Sequence, residues 1–436
     1  MWGRALTVIP LLLCLAGPLY AQGSQSVQLL GRFENLDRDR GYAGVSGYVG
    51  ADGREYALLG TRAGVSIVDV TDPANPVESA FIPGRASIWR EIQTFSSYAY
   101  ITTEGGGGVQ IVDLSQLPKT AYLVNTYNVT VGNAHTLFID PADGYAYING
   151  ASGGPSSSRG GMNFLNLNAD PVFPTEDGVY SLRYAHDSYV RNNIAYTSEL
   201  GNGFSIVDVT DKGNPQVLAQ KRYPGAFTHN GWLTDDGSYF LTTDEETGGH
   251  LRVWNILDLD NIYLAGEYTA HPSATIHNVY AKGEFTYAAY YAEGLRVIDM
   301  ADPTLPVEAG SYDTHPEWVT GQRGSWGCYP FLPSGVILIS DMETGLWVFS
   351  FDGSKAGRVR GVVRDEATQE PIAGAVIRME GNPAPATSNS AGEYGIGYPA
   401  NTYRMTVARA GYNPYEVEVT LVSAETIYVD VGLTPL

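Results

Sequence analysis

The feature that most constrains this chain is a unit of four short strand-like runs that recurs along most of its length. It is clearest from Ile276 to Asp313, where the runs His277–Lys282, Thr286–Tyr291, Leu295–Met300 and Val307–Tyr312 are each rich in Val, Ile, Tyr or Phe. Runs this short, bounded by turn residues, read as strands rather than helices. Lys282-Gly283, Ala292-Glu293-Gly294 and the corner from Asp302-Pro303 to Pro306 separate them, so the unit reads as one antiparallel sheet. Such a sheet cannot bury both faces by itself, and its copies must stack on one another.

The copies are found by aligning the third run of each unit. It reads SIVDVTDP from Ser66, QIVDLSQL from Gln110, NFLNLNAD from Asn163, SIVDVTDK from Ser205, RVWNILDL from Arg252, RVIDMADP from Arg296 and WVFSFDG from Trp347. The first runs align at Ser46, Trp89, His135, His186, His229, His277 and Trp326, with spacings of 43, 46, 51, 43, 48 and 49 residues. Four strands in that length, seven times, is the pattern of an all-β, seven-bladed β-propeller. A lone run, Val27–Phe33, precedes the first unit and resembles the fourth runs, whereas no fourth run follows Trp347 before the composition changes. The N-terminal run is therefore expected to complete the last blade and close the ring, leaving no unpaired edge there.

The two ends read differently. Residues 1–21, with Arg4, an apolar run from Ala5 to Ala16 and a small-residue end at Ala21, have the form of a secretory signal peptide. The run is too short to span a bilayer, and Leu13 before Cys14 does not suit a lipoprotein cleavage site. The expected product is secreted, periplasmic or displayed at the cell surface. The propeller is assigned to 22–352, with a linker at Asp352-Gly353-Ser354. The remainder, 353–436, consists of short alternating runs such as Arg404–Ala408 and Glu416–Val419, which predict a small antiparallel β-sandwich with one solvated face. A net charge of -21 argues against nucleic acid as a partner, because that affinity comes mostly from Lys and Arg displacing counterions.

Two resemblances follow from particular motifs. The tail is similar to the carboxypeptidase regulatory-like domain through Gly361-Val362-Val363, Pro371-Ile372-Ala373-Gly374-Ala375, Gly392-Glu393-Tyr394 and Ala408-Arg409-Ala410-Gly411-Tyr412; the resemblance implies a non-catalytic module. The ring resembles the LVIVD-repeat proteins, exported bacterial propellers of the choice-of-anchor B type, through its IVDVTDP copies, Ser87-Ile88-Trp89-Arg90, Ala134-His135, Thr228-His229-Asn230 and Ile276-His277-Asn278. That resemblance implies the fold and carries no reaction with it. It also implies a polar Asn-Asp pair in the first blade, where this chain has Val45-Ser46.

Strand parity collects the chemistry on one rim. The start of each first strand and each loop joining the second and third strands lie together, which places His135, His186, His229 and His277 around the channel mouth. Glu104, Glu199, Asp244, Glu245, Glu246, Glu293, Asp341 and Glu343 fall on the same rim, as rim acids or as groups orienting the rings, and the Asn230 and Asn278 amides are further candidates for that task. Neutral imidazoles converging on an axis suit a divalent transition metal such as Zn, Cu, Fe or Ni. A recurring blade histidine can equally serve structure by bonding a neighbouring backbone. The sequence thus leaves two functions open: a module that binds a protein, glycan or surface through its front rim, or a metal-dependent lyase or oxidase built on the four histidines. Gly150-x-Ser152-x-Gly154 has the form of a nucleophile elbow, but that device needs a strand-to-helix turn, and a blade loop is expected there. Cys328 is expected as a buried apolar residue of an inner strand.

Overall fold

A computed structural model describes residues 25–35, 41–154, 159–317 and 320–436. The expected signal peptide, with Cys14, lies outside these residues, as does part of the loop after Ser152. No helix among the described residues is long and apolar enough to cross a membrane.

From Val27 to Phe351 the described chain forms seven four-stranded antiparallel sheets. Six of them run in sequence order from first strand to fourth. The first strands are Tyr42–Val49, Arg90–Phe95, Thr136–Asp140, Asp187–Arg191, Thr228–Leu233, Val279–Lys282 and Ser325–Tyr329. Each lies beside the next, and Ser325–Tyr329 lies beside Tyr42–Val49. In the last sheet the outer strand is Val27–Phe33, which pairs antiparallel with Gly345–Phe351, from Val27 opposite Phe351 to Phe33 opposite Leu346.

Seven apolar clusters fill the spaces between consecutive sheets. The one holding Tyr42, Leu59, Val68, Leu338 and Val348 joins the last sheet to the first. Each fully buried Val, Leu or Ile in these layers contributes about 1.5–3 kcal/mol, which is how a chain whose one described cysteine, Cys328, is free and buried holds together without disulfides.

A second repeated feature is a bulge where the fourth strand meets the third. Register slips occur at Ile67/Val68, Ile111/Val112, Phe164/Leu165, Ile206/Val207, Val253/Trp254 and Val297/Ile298, and in the last sheet between Leu29 and Gly31. Gly31, Gly178, Gly266 and Gly310 occupy the same place beside the bulge. A Cβ on Gly178 would sit 1.7 Å from the Lys212 carbonyl oxygen, on Gly266 2.4 Å from that of Pro303, and on Gly31 2.1 Å from that of Pro73. The corner after the third strand of one sheet therefore rests on the bare backbone of the preceding sheet. Gly31 and Pro73 make that contact between the last sheet and the first.

The tail folds into two further four-stranded sheets around its own core of Val359, Ile377, Ile396, Met405, Val407 and others. It departs from the fully antiparallel expectation. Ala356–Asp365 pairs parallel with Thr426–Tyr428 and Val431–Leu433, because the chain crosses to the second sheet and returns in its starting direction. Arg358, 3% exposed, fixes the tail to the sixth sheet. Its guanidinium bonds Asp299 Oδ1 at 3.0 Å and the Leu305 carbonyl at 3.1 Å, while the Ala356 N–H donates to Asp299 Oδ2 at 3.0 Å.

Candidate metal centre at the channel mouth

Local pairing puts the four histidines in equivalent places. The His135, His186 and His277 N–H groups donate to the carbonyls of Asn149, Ser198 and Ala289, each at the end of its sheet's second strand, at 3.0, 2.8 and 2.9 Å. His229 sits at the register slip between Thr228 and Asn230. Inner strands crowd toward the axis, so the four rings form a continuous arc. Centroid separations are 4.1 Å for His135–His186, 4.3 Å for His186–His229 and 4.2 Å for His229–His277, and Trp326 follows at 4.4 Å from His277.

The hydrogen bonds decide which nitrogen faces inward. Nδ1 of His186 donates to the His229 carbonyl at 2.9 Å, and Nδ1 of His277 donates to the Trp326 carbonyl at 2.6 Å. A carbonyl oxygen only accepts, so each Nδ1 carries the proton and each neutral ring keeps its lone pair on Nε2. Nδ1 of His135 donates to Glu104 at 2.6 Å. Nδ1 of His229 lacks a hydrogen-bond partner, although the His277 backbone is near enough to act on its charge.

Burial, followed by the neighbouring imidazoles, drives the His186 and His229 pKa values well below the ordinary histidine range. Burial also pushes His277 down to about 3, against the opposing hydrogen bond to Trp326. These three rings are therefore neutral at pH 7, the form that ligates metals.

Two donor sets overlap at His229. His135, His186 and His229 offer ligand atoms within 4.8 Å of one another, and so do His229, Glu245 and His277. Glu245 places Oε2 3.6 Å from His229 Nε2 and Oε1 4.0 Å from His277 Nε2. Burial raises its pKa, partly offset by the Tyr291 hydroxyl, which donates to it at 2.6 Å. Tyr291 adopts a φ of 33°, an uncommon conformation for a bulky side chain that persists only where surroundings enforce it. The structure thus brings together His135, His186, His229 and His277, singled out in the sequence as candidate ligands, with Glu245 and Glu104, singled out as rim acids.

The other rim groups are engaged elsewhere. Glu199 accepts from Tyr180 and Thr197, each at 3.0 Å, and Asp244 from Tyr223, the Phe227 N–H and Arg252. Glu293 pairs with Arg296. Asn230 bonds Asp187 and the Val279 N–H rather than an imidazole, and the Asn278 side chain makes no hydrogen bond to any ring. Asp341 instead holds His315, whose Nε2 lies 3.0 Å from it while Nδ1 lies 3.3 Å from Glu317. Burial would lower the His315 pKa, but these carboxylates override it and raise it. His315, Asp341 and Glu343 also lie within ligand distance of one another, yet both ring nitrogens of His315 already face carboxylates. That corner favours the protonated ring paired with its two carboxylates.

Ser152 is not a nucleophile elbow: its hydroxyl bonds the Asn133 side chain within an isolated β-bridge. Cys328 is fully buried, and burial raises its thiol pKa.

Sequence reasoning missed the groups beneath the arc. A compartment of about 10 Å³, lined by Trp89, Glu91, His135, His229, His277 and Asn278 among others, neighbours one of about 20 Å³ that shares Glu91, Thr136 and Asn278 and adds Asp187. Burial pushes Glu91 up to about 7 and Asp187 up to about 6. An acid directly after an inner-strand histidine, as in His186-Asp187, was the available signal.

Comparison with known proteins supplies the fold context. The LVIVD repeat model matches residues 54–81, 182–220 and 275–314, within the first, fourth and sixth sheets. The carboxypeptidase regulatory-like domain model matches residues 358–434. No curated protein matches the chain. Among solved structures, the crystal structure of the Myceliophteria thermophila Cps50 (Swd1) β-propeller domain aligns with a TM-score of 0.52 at 11% identity, over 74% of this chain and 99% of that one. At that identity the likeness carries fold alone. The chain is an all-β protein that contains LVIVD repeats, has a β-propeller as a structural neighbour, and ends in a carboxypeptidase regulatory-like domain.

Proposed function

We propose that this protein is an exported binding module: a closed seven-bladed ring over residues 22–352, with residues 353–436 as an appended sandwich, that carries one divalent transition-metal ion at its front mouth. His135, His186, His229 and His277 are the ligand pool, with Glu245 as a carboxylate donor and Glu104 orienting His135. Ring closure is supported by the Gly31–Pro73 approach and by the apolar cluster shared between the last sheet and the first.

The observation that carries the metal reading is the pair of Nδ1–carbonyl bonds at His186 and His277, which leave neutral Nε2 lone pairs as the free donors. Held by either donor set, such an ion would tie together inner strands of successive sheets and supply Lewis acidity. The compartment size separates the two functional classes. Sites for organic ligands occupy about 300–1,000 Å³, whereas the space against the imidazoles is about 10 Å³ among the described residues. This favours an ion that braces the ring over a lyase or oxidase centre. Recognition of a protein, glycan or surface then falls to the acidic front rim.

The test is elemental analysis of protein purified without chelators from cells supplied with Zn, Cu, Mn and Fe. About one equivalent of a transition metal is expected, lost in the His229→Ala/His277→Ala double variant. Metal-free wild-type protein would contradict the reading.

A further inference from the structure

We propose that the compartment beneath the imidazole arc is a second cation site, built from oxygen donors and suited to a hard cation such as calcium. The compartment measures about 20 Å³ and is lined by Glu91, Thr136, Asp187, Asn230, Trp232 and Asn278, among others. That is room for about one water-sized body.

Two acids and no basic side chain line it. Glu91 accepts from Trp326 Nε1 at 3.1 Å. Asp187 accepts from Asn230 Nδ2 at 2.7 Å, the Ser188 N–H at 2.7 Å and Thr136 at 3.2 Å. None of these partners is cationic. Two walled-in acids with no basic partner are costly together, and a cation between them removes the repulsion.

A second, independent observation comes from Asn278. It is 6% exposed, lines both compartments, and its Oδ1 has no hydrogen-bond partner. Buried polar atoms are rarely left in that condition. Carboxylate and amide oxygens are the donors calcium takes, usually six to eight at about 2.3–2.6 Å, whereas magnesium keeps more of its water and needs more space. The imidazole nitrogens above suit softer ions, so the two sites differ in donor class and are separable by experiment.

The experiment uses the full chain stripped of metal with chelator, terbium as a luminescent calcium substitute excited through the neighbouring Trp326 and Trp232, and calcium as competitor. The expected result is saturable emission with one terbium per chain, displaced by calcium. Glu91→Gln and Asp187→Asn should each weaken calcium binding by about tenfold or more, and Asn278→Val, which leaves both acids, should weaken it to a smaller degree. The His229→Ala/His277→Ala variant should bind calcium as the wild type does while losing the transition metal, which keeps this inference distinct from the previous one. Wild-type calcium binding is read separately as a rise in Tm, so a poorly folding acid variant does not decide the outcome. Absence of a calcium site, calcium binding unchanged by Glu91→Gln and Asp187→Asn, or calcium binding lost with the imidazoles would overturn it.

Discussion

The imidazole arc and the His315 corner use one residue type on one rim to opposite ends. In the arc, His186 and His277 give their Nδ1 protons to backbone carbonyls, and burial keeps the rings neutral. In the corner, His315 lies between Asp341 and Glu317, and its pKa is raised. A neutral acceptor leaves a lone pair free for a metal; a carboxylate on each nitrogen favours a proton on both. The partner of each nitrogen, more than the residue's place in the repeat, determines which chemistry the ring can do.

The comparison breaks most sharply under substitution. His229→Ala/His277→Ala should abolish transition-metal retention, read by elemental analysis, whereas His315→Ala should leave the metal in place. His315→Ala should instead lower stability by about 1.5–3 kcal/mol, the usual worth of a hydrogen bond to a charged group, because Asp341 has no side-chain exposure but keeps its bonds from Thr314 and Thr344; urea unfolding measures it. Retention of metal in the first variant, or its loss in the second, would erase the distinction.

Closure of the ring is tested by Gly31→Ala. The added methyl meets the Pro73 carbonyl oxygen at 2.1 Å, and overpacking of this kind costs about 1–3 kcal/mol. Gly201→Ala, with nothing nearer than 4.0 Å, is the neutral control in the same unfolding experiment.

Acid should separate the two histidine environments by sign. For His315 the raised folded pKa stabilises fully below the unfolded value of about 6.5 and the effect fades as pH rises through the folded pKa. The Asp341 pKa, which burial would raise, is lowered by His315 and Thr344, so its contribution is present above about 3.9 and lost as pH falls through the folded value. The stability gap between wild type and His315→Ala should thus be widest between about pH 4 and 6.5. The arc behaves oppositely: its depressed pKa values mean that metal-free protein loses stability as pH falls below about 6.5, and His229→Asn should soften that loss. The smallest effect is expected for Glu199→Gln, which should leave metal content unchanged because Glu199 bonds Tyr180 and Thr197 rather than a ring.

Much of this was readable from residues alone, for physical reasons that also explain the rest. The third-run copies from SIVDVTDP to RVIDMADP identified the sheets because these strands are buried almost throughout and so recur as short apolar runs bounded by turn residues, and the Val27–Phe33 run found its partner because an unpaired edge needs one. The four histidines were legible because they recur at one place in the unit. Three consecutive acids, Asp244, Glu245 and Glu246, were not separable in the same way. Asp244 turns to Arg252 and Tyr223 while Glu245 reaches His229, a choice made by side-chain direction. The glycines at the bulges went unread because their signal is the neighbouring sheet's carbonyl, which no single unit contains. The parallel pairing in the tail was missed because alternation along a strand is silent on the direction of its neighbour.

The most direct test is histidine-selective ¹⁵N NMR of the metal-free protein at pH 7, followed by addition of zinc. The account predicts that His186 and His277 are neutral with the proton on Nδ1, and that zinc shifts their Nε2 resonances while leaving those of His315 unmoved. Protons on Nε2 of His186 and His277, or Nε2 resonances indifferent to zinc, would contradict it.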